Sequence, residues 1–330
     1  MSVKKILIDP RWKNAGGIGT FYEKINEINR YDDIQIEGSP ASPLDTLRSA
    51  KAMSTVKDAV VFFPGYIPPL VSNLPYVFTV HDLNHLDRPE NSSLSKKIFY
   101  NTIIKNGCRK AEYIFTVSEF SRQRIIEWTH VAADKVINVG NGVSPHFTPQ
   151  GDSINYAFEF LLCVSNRKLH KNEEGVIKAF HAADIDKEIK LVFTGKPSSN
   201  IENLIASLGL KDRVVFTGFI ESADLPKLYR SAKALVFPSF YEGFGLPVIE
   251  AQASGIPVIT SSTTSLGEVS GGAALLVDPY SVPEIASAIE VVCHDANRVN
   301  KLTAEGLINS KKYTWERTAG IVDKYIKKIS

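Results

Sequence analysis

The chain has 330 residues, of which 44% are hydrophobic, and its 38 Lys and Arg against 36 Asp and Glu residues give a net charge of +2. A chain of this length can bury substantial cores and is expected to form two domains, while the near-neutral balance argues against a protein globally adapted to nucleic acid or another polyanion. The three cysteines show no paired spacing, which is typical of buried thiols in a reducing compartment: Cys108, Cys163 and Cys293.

The sequence carries no strong membrane signal. Residues 1–9, MSVKKILID, run directly into a strand pattern and lack the apolar region and cleavage site of a signal peptide. The nearest apolar stretch, Ala59 to Val71, is broken by its PGYIPP segment, whereas a bilayer span needs about 20 apolar residues. We therefore expect a soluble cytoplasmic protein, or one bound only to a membrane surface.

Short apolar runs recur along the chain, each followed by a polar loop and a helix-like pattern. Continuous apolar runs indicate parallel strands that helices cover on both faces, and the strand–helix alternation predicts an α/β architecture of two doubly wound domains. We place the first domain at 1–150, the second at 151–314, and a final helix at 315–330. The predicted strands are Ile6–Ile8, Val60–Phe63, Tyr76–Val80, Tyr113–Val117, Val136–Val139, Phe160–Val164, Lys190–Phe193, Arg213–Phe216, Ala234–Phe237, Pro257–Thr260 and Ala274–Val277.

A glycine-rich turn follows the first predicted strand. It precedes a helix predicted from Phe21 to Asn29. Such a turn has the form of a phosphate-binding loop, although the dinucleotide fingerprint of spaced glycines with a later ribose acid is absent, and a simple turn is an equally open interpretation. The turn consists of Gly16, Gly17, Ile18 and Gly19.

Polar residues follow two later strands. His81 and Asp82 come directly after one of them, with His85 close behind. A histidine at a strand end is more often structural than catalytic, but a neutral imidazole can donate one hydrogen bond and accept another, and we favour His81 over His85. Asp82 is expected to orient its loop or cap the next helix, and Ser118 to cap the helix after the following strand.

Residues 92–113, SSLSKKIFYNTIIKNGCRKAEY, mix basic and apolar side chains. A helix with these two faces either packs on its own sheet as an ordinary amphipathic helix or lies on an anionic membrane surface. Both interpretations stay open.

The second half of the chain places cations and acids after its strands. Arg167 and Lys171 follow the strand that ends near Val164; Lys171 is the stronger candidate for a functional cation, because Arg167 could be a solvated charge and both could belong to an exposed basic face. Turns after later strands leave small residues where a ligand could approach, at Thr194-Gly195 and Thr217-Gly218-Phe219-Ile220.

The most informative segment is FPSFYEGFGLPVIEAQASGIPVI, residues 237–259. Pro247 opens a predicted helix after a glycine-containing loop, with Glu242 in the loop and Glu250 one turn inside the helix. The two carboxylates could reach opposite ends of one elongated ligand, although ordinary capping explains either glutamate alone. Free N–H groups at the helix start would favour an anion or a polarised hydroxyl: those of Phe244, Gly245 and Leu246.

This segment resembles the E-x7-E signature of retaining glycosyltransferases with the GT-B fold, two Rossmann-like domains facing an interdomain cleft, and in particular family 4 of those enzymes. The resemblance extends along essentially the whole chain and is most specific from Phe160 to Pro279. It implies that the first domain binds the acceptor, that the second binds the nucleotide sugar, and that the helix at 315–330 crosses back to the first domain. It implies that Glu242 lies beside the transferred sugar, that the amides of residues 244–246 hold its hydroxyls or the phosphate, and that Glu250 grips the ribose.

The same resemblance implies roles for the other motifs. The Gly16–Gly19 loop would approach the acceptor and the donor phosphate, and His81 would line the reaction centre, with the Ser118 turn also at the cleft. Lys171, with Arg167, would neutralise the donor diphosphate; many members carry Gly-Arg where this chain has Ser165-Asn166, which displaces the arginine by one position. The donor site would also include Asn166 and, at the nucleobase, Gly218, Phe219 and Ile220.

The resemblance implies a retaining hexosyltransferase of EC 2.4.1 type, without a metal or other cofactor, that acts in bacterial surface polysaccharide or lipopolysaccharide O-antigen assembly. Mannosyl transfer from GDP-mannose is favoured over transfer from dTDP-rhamnose or a UDP-hexose, the acceptor is a glycan or lipid-linked glycan, and no nucleic acid partner is expected. Two alternatives stay open: another GT-B enzyme, such as a sugar-nucleotide epimerase or a hydrolase, and a non-catalytic sugar-nucleotide binding protein. Peripheral contact with the anionic inner face of the cell membrane also stays open.

Overall fold

The part of the chain that the computed structural model describes, residues 4–40, 42 and 44–330, builds two six-stranded parallel sheets. The strands of the first sheet are β1 (Lys5–Ile8), β2 (Asp32–Asp33), β3 (Ala59–Phe63), β4 (Tyr76–Thr79), β5 (Tyr113–Thr116) and β6 (Val136–Asn138). The strands of the second sheet are β7 (Phe160–Cys163), β8 (Lys190–Phe193), β9 (Val214–Phe216), β10 (Ala234–Phe237), β11 (Val258–Ser261) and β12 (Leu275–Val277).

In both sheets the chain adds strands on one side of its first strand and then returns to add the others on the opposite side, which is the doubly wound arrangement. The orders are β2-β1-β3-β4-β5-β6 and β12-β11-β10-β7-β8-β9. In the second sheet β7 lies between β10 and β8, so the loops that follow β7 and β10 leave neighbouring strands at the same edge. Ligands of open α/β sheets bind beyond the carboxyl ends of the strands at such a switch point.

Every strand predicted from the apolar runs is present, and the interior of each sheet explains why. All five residues of β3 and all four of β4, β7 and β10 are buried, because helices cover both faces of a parallel sheet. The sequence missed β2, a two-residue edge strand of exposed aspartates that has no apolar pattern to reveal it.

Helices connect the strands. They are α1 (Gly16–Asn29), α2 (Asp45–Ser54), α3 (Asn84–Asp87), α4 (Leu94–Phe99), α5 (Lys105–Lys110), α6 (Glu119–Thr129), α7 (Glu173–Ala182), α8 (Ser199–Ser207), α9 (Leu225–Ser231), α10 (Leu246–Ala253), α11 (Thr264–Ser270), α12 (Val282–His294), α13 (Ala296–Ser310) and α14 (Trp315–Lys327). A π-helical turn at Tyr100–Ile104 joins α4 to α5, so the basic segment is one nearly continuous helix. Nowhere in the described ranges is a helix long and apolar enough to cross a bilayer.

The chain divides into two units, residues 4–142 with Thr314–Ser330, and Val143–Tyr313. The sequence predicts the domain boundary at residue 150, whereas the structure divides the units between Gly142 and Val143. The residues in between belong to the second unit because they are bonded to it: the Val143 amide donates to the Tyr313 carbonyl (3.0 Å), and the Arg230 guanidinium donates to the carbonyls of His146 (3.3 Å) and Thr148 (3.2 Å).

The C-terminal helix α14 packs on α1 inside the first unit. The Asn29 amide donates to the Ala319 carbonyl (3.0 Å), and the Tyr31 hydroxyl donates to Asp323 (3.1 Å). Residues at the two ends of the chain therefore complete one core.

Candidate active site

The switch point of the second sheet brings two predicted site residues together. Lys171 Nζ lies 2.7 Å from Glu242 Oε1, and the two side chains are only 14% and 13% exposed. Lys171 comes from the loop after β7 and Glu242 from the loop after β10. The alternative in which Lys171 belongs to an exposed basic face is therefore wrong, although its neighbour Lys168 is exposed.

The backbone around Lys171 is fixed by the next residue. Asn172 has a left-handed backbone conformation (φ 56°), which a short polar side chain tolerates. Its side-chain amide donates to the carbonyls of Pro238 (3.0 Å) and Pro279 (2.7 Å). Lys171 is thus tied to the backbone of the Glu242 loop as well as to its carboxylate.

The Glu242 loop is held by hydroxyl groups from the following β–α segment. Ser265 Oγ, fully buried at the start of α11, lies 2.9 Å from the Glu242 carbonyl and 3.0 Å from the Phe244 carbonyl. The segment before the loop is held in the same way: the Thr260 hydroxyl donates to the Phe237 carbonyl (2.9 Å), and the Ser261 hydroxyl donates to the Ser239 carbonyl (2.6 Å). Sequence reasoning missed these residues; their only signal was the run TSSTTS directly at the end of β11.

Helix α10 begins one residue earlier than predicted. It starts at Leu246, so Pro247 is its second residue, not its first. Gly245 precedes it with φ 100°, and a Cβ there would lie 2.4 Å from Leu266 Cδ2, so both conformation and space require glycine. The first N–H groups of a helix have no intrahelical acceptors, and here the first of them is four residues beyond Glu242 in the chain.

Glu250 lies on α10, and its carboxyl group is bonded to a tyrosine. Glu250 Oε2 accepts a 2.8 Å hydrogen bond from the hydroxyl of Tyr229, a fully buried residue of α9. Desolvation raises the pKa of Glu250 to about 7, while the Tyr229 hydrogen bond and the charge of Lys171 oppose the increase. No sequence signal had indicated Tyr229.

Arg167 is mostly buried, which decides between a fixed cation and a solvated charge. Its side chain is 18% exposed, lies 3.1 Å from Glu173, donates to the Thr194 carbonyl, and covers the rings of Phe193 (5.5 Å) and Phe216 (5.3 Å). The interpretation as a solvated charge is wrong. The backbone at Arg167 is left-handed (φ 63°).

The remaining predicted donor residues lie at the same edge of the second sheet. Asn166 is exposed. Gly218 (φ 71°) exchanges backbone hydrogen bonds of 2.8 and 3.2 Å with Gly195, which fixes the turn before Ile220. Phe219 is 82% exposed, so its ring is available for contact with a planar ligand group.

In the first unit, His81 is held as a neutral imidazole. Its Nε2 lies 2.9 Å from the Pro64 carbonyl, which can only accept, so Nε2 donates and Nδ1 carries the lone pair. The ring packs edge-on against Phe21 at 5.0 Å, and burial lowers the pKa of His81 to about 4. His85 instead contacts the Asn91 carbonyl through Nδ1 (2.8 Å).

The other predicted residues of this unit start helices. Ser118 caps α6 by accepting from the Ser121 amide (3.0 Å), as predicted, and Asp82 accepts from the Asn84 amide (3.0 Å) at the start of α3. Helix α1 was predicted to begin after the glycines, but it begins at Gly16, so Gly16, Gly17, Ile18 and Gly19 form its first turn. A Cβ on Gly19 would lie 2.8 Å from the Trp12 carbonyl, which explains why that residue is glycine.

Comparison with known proteins decides the family. The family model of Glycosyl transferases group 1 matches residues 150–307, and that of Glycosyltransferase Family 4 matches residues 35–147. The chain is also 31% identical over 323 residues to MMP alpha-(1->4)-mannosyltransferase of Mycolicibacterium hassiacum, an alignment that covers 89% of this chain and 77% of that protein. The chain belongs to glycosyltransferase family 4.

Two Escherichia coli proteins are similar to this family 4 glycosyltransferase. O-antigen chain mannosyltransferase B is 29% identical over 284 residues, which covers 82% of this chain and 74% of that protein. Serotype-specific mannosyltransferase WbdA is 32% identical over 227 residues, but these are 64% of this chain and only 28% of WbdA.

The structural comparison confirms the GT-B fold. The crystal structure of Anabaena HepE in complex with UDP and glucose aligns with a TM-score of 0.79 over 98% of this chain and 100% of that one, at 18% identity. The predicted architecture of two Rossmann-like domains is therefore correct.

Proposed function

We propose that this glycosyltransferase is a retaining mannosyltransferase that uses GDP-mannose to extend a glycan or lipid-linked glycan in bacterial O-antigen or surface polysaccharide assembly. Support for the sugar comes from the relatives, which include an O-antigen chain mannosyltransferase and an MMP alpha-(1->4)-mannosyltransferase. dTDP-rhamnose and UDP-hexoses are the next candidate donors.

The observation that carries the proposal is the Lys171–Glu242 pair at the switch point of the second sheet, with α10 starting four residues beyond Glu242. A nucleoside diphosphate leaving group gains negative charge in the transition state, and a fixed cation stabilises that charge. Lys171 supplies the cation. Glu242 then accepts hydrogen bonds from the sugar hydroxyls, and Glu250 accepts them from the ribose.

We propose a front-face reaction for the transfer. The bond between the anomeric carbon and the donor phosphate oxygen breaks, and the nucleoside diphosphate leaves with the electron pair. The acceptor oxygen bonds to the anomeric carbon on the same face, and its proton passes to the departing phosphate. His81, neutral and with a free Nδ1 lone pair, would orient a sugar hydroxyl in this step.

The test is a donor screen followed by product analysis. We expect GDP-mannose to raise the melting temperature more than UDP-glucose or dTDP-rhamnose, because a ligand that binds only the native state stabilises it. Mannosylated product should form only when an acceptor glycan is supplied. Free mannose without acceptor would indicate a hydrolase, an altered donor sugar an epimerase, and binding without turnover a non-catalytic protein.

Metal independence is part of the same proposal, because Lys171 occupies the role that a divalent cation fills elsewhere. Transfer should proceed at an unchanged rate in excess EDTA. A loss of activity in EDTA that Mg²⁺ restores would contradict it.

Peripheral membrane contact is proposed for the basic segment. Leu94 (76% exposed) and Ile98 (54% exposed) lie one turn apart on α4, and Lys96 and Lys97 lie between them. Anionic lipid attracts such a surface, and apolar side chains add burial. The protein should sediment with phosphatidylglycerol vesicles, and less of the Leu94→Ser/Ile98→Ser variant should do so. Equal amounts of wild-type protein in the pellet with and without vesicles would reject the contact.

A further inference from the structure

We propose that Tyr229 is a positioning residue of the donor site, which holds Glu250 in the orientation and charge state that a ribose diol requires. The proposal rests on the donor role proposed above for Glu250 and deepens it. It assigns a function to a residue that does not itself touch the donor.

The geometry is that of a fixed hydrogen bond. Tyr229 is fully buried on α9, its ring is packed edge-on against Phe147 (5.4 Å, 80°), and its hydroxyl lies 2.8 Å from Glu250 Oε2. A buried tyrosine hydroxyl normally has a hydrogen-bond partner, and here the partner is a carboxylate. Because the Tyr229 hydroxyl binds Oε2, this hydrogen bond restrains rotation of the carboxylate, and in the proposal Oε1 is the atom that accepts from the ribose.

Few groups around Glu250 act on its carboxyl group, and Tyr229 is one of them. The ionisable groups that act on its carboxyl are Tyr229 from α9 and Lys171 from the loop after β7. On the side of α10 that packs against α11 and α13, the polar contact is neutral: Gln252 donates to the Ser270 carbonyl (2.9 Å) and accepts from Asn309 (2.9 Å). Tyr229 therefore provides a hydrogen bond, and Lys171 a charge, that favour the ionised form.

The charge state matters because a carboxylate accepts from two ribose hydroxyls more strongly than a neutral carboxyl does. The pKa of Glu250 is raised to about 7. Above that pH the carboxylate is present and donor affinity is full; as the pH falls through 7 the group binds a proton and affinity declines, by up to about tenfold per pH unit at the limit. Removing the Tyr229 hydroxyl removes a contribution that lowers the pKa, so the decline should begin at a higher pH.

The experiment measures KM for GDP-mannose and kcat from pH 6 to 8.5 in the wild type, Tyr229→Phe and Glu250→Gln. Tyr76→Phe is the matched control, because Tyr76 also donates a buried hydroxyl hydrogen bond, but to the Gly107 carbonyl (3.0 Å) rather than to a carboxylate, and it lies in the first unit. In the wild type and Tyr76→Phe, we expect KM to rise as the pH falls, with the midpoint of the rise near pH 7. In Tyr229→Phe this midpoint should lie at least half a pH unit higher, while kcat at saturating donor stays nearly unchanged. In Glu250→Gln, KM should be high and independent of pH. An unchanged midpoint in Tyr229→Phe would overturn the proposal.

A second measurement avoids dependence on the folding of one variant. Incorporation of 3-fluorotyrosine makes the phenol a stronger hydrogen-bond donor without removing its packing. The pH midpoint of KM should therefore move to lower pH in the wild type, whereas KM should stay independent of pH in Glu250→Gln. An unchanged midpoint in the wild type would contradict the positioning role of Tyr229. The failure of the underlying function is distinguishable. If Glu250→Gln binds GDP-mannose as the wild type does, Glu250 is not in the donor site, whereas a weakened Glu250→Gln with no Tyr229 effect rejects only the positioning role.

Discussion

At the scale of single residues, the Lys171–Glu242 pair has the strongest consequences. Both side chains are mostly buried, and their 2.7 Å contact joins two loops. Removing one partner of such a pair leaves the other charge without compensation, which is strongly destabilising in a buried site. The pair therefore has a structural as well as a proposed catalytic part, and a test must separate the two.

A double-mutant cycle makes this separation. Glu242→Gln and Lys171→Met should each lower kcat by about 100- to 1,000-fold, as loss of one transition-state contact typically does. The double variant should lose much less than the product of the two effects, because contacting residues are not independent. The measurements are steady-state kinetics and chemical denaturation. Glu221→Gln, an exposed glutamate of the same unit, serves as the control and should leave kcat unchanged.

Most of the candidate site residues could be proposed from the sequence because each follows an apolar strand, where parallel sheets place ligand contacts. Tyr229 and Ser265 were not, since their importance comes from contacts with Glu250 and with the Glu242 loop that are distant in the chain. For Arg167 the sequence left a solvated charge open, because its contacts with Glu173 and the Thr194 carbonyl also come from tertiary structure. The local sequence pattern thus indicates where candidate residues lie, whereas the contacts of each residue depend on the tertiary structure.

At the scale of elements, the loop between β10 and α10 depends on its neighbour in the chain. Its backbone is held by hydroxyls from the end of β11 and the start of α11. Strand pairing alone places β10 beside β11, but these side-chain bonds determine the path of the loop. The same scale shows where prediction of boundaries failed: helices α1 and α10 each begin earlier than the sequence indicated, because Gly and Pro are compatible with a first helical turn.

Ser265→Ala tests this support. The substitution removes the hydroxyl shared by the Glu242 and Phe244 carbonyls, and an unsatisfied buried polar group costs about 1–3 kcal/mol. We expect a loss of that size in the free energy of unfolding, together with a higher KM for GDP-mannose. Ser207→Ala is the control, since Ser207 bonds to the Leu204 carbonyl on an exposed surface, and its effect should stay within about 0.5 kcal/mol. Equal effects of the two substitutions would show that the loop does not depend on Ser265.

At the scale of the whole molecule, the chain returns to its first unit at the end. Trp315, 5% exposed, opens α14, lies 6.5 Å from the Phe21 ring of α1, and stands against Gly142, where a Cβ would lie 2.3 Å from the Trp315 amide nitrogen. The amphipathic spacing from Trp315 onward made this helix predictable from the sequence. Its packing partner α1 lies nearly three hundred residues earlier in the chain.

Trp315→Ala should therefore destabilise the first unit. Truncation of a buried tryptophan costs about 3–5 kcal/mol, so thermal denaturation should show a lower melting temperature for Trp315→Ala than for the wild type. Ile308→Ala, at a position 66% exposed on α13, is the control and should leave the melting profile unchanged. An unchanged melting temperature in Trp315→Ala would contradict a stabilising role of α14 in the first unit.

The most direct test of the central claim is a crystal structure of the enzyme with GDP-mannose. We predict the diphosphate within hydrogen-bond distance of Lys171 Nζ, the hexose hydroxyls on Glu242 and the amides at the start of α10, and the ribose on Glu250 Oε1. A nucleotide sugar bound away from these residues, or bound with its ribose at Glu242 and its hexose at Glu250, would contradict the account.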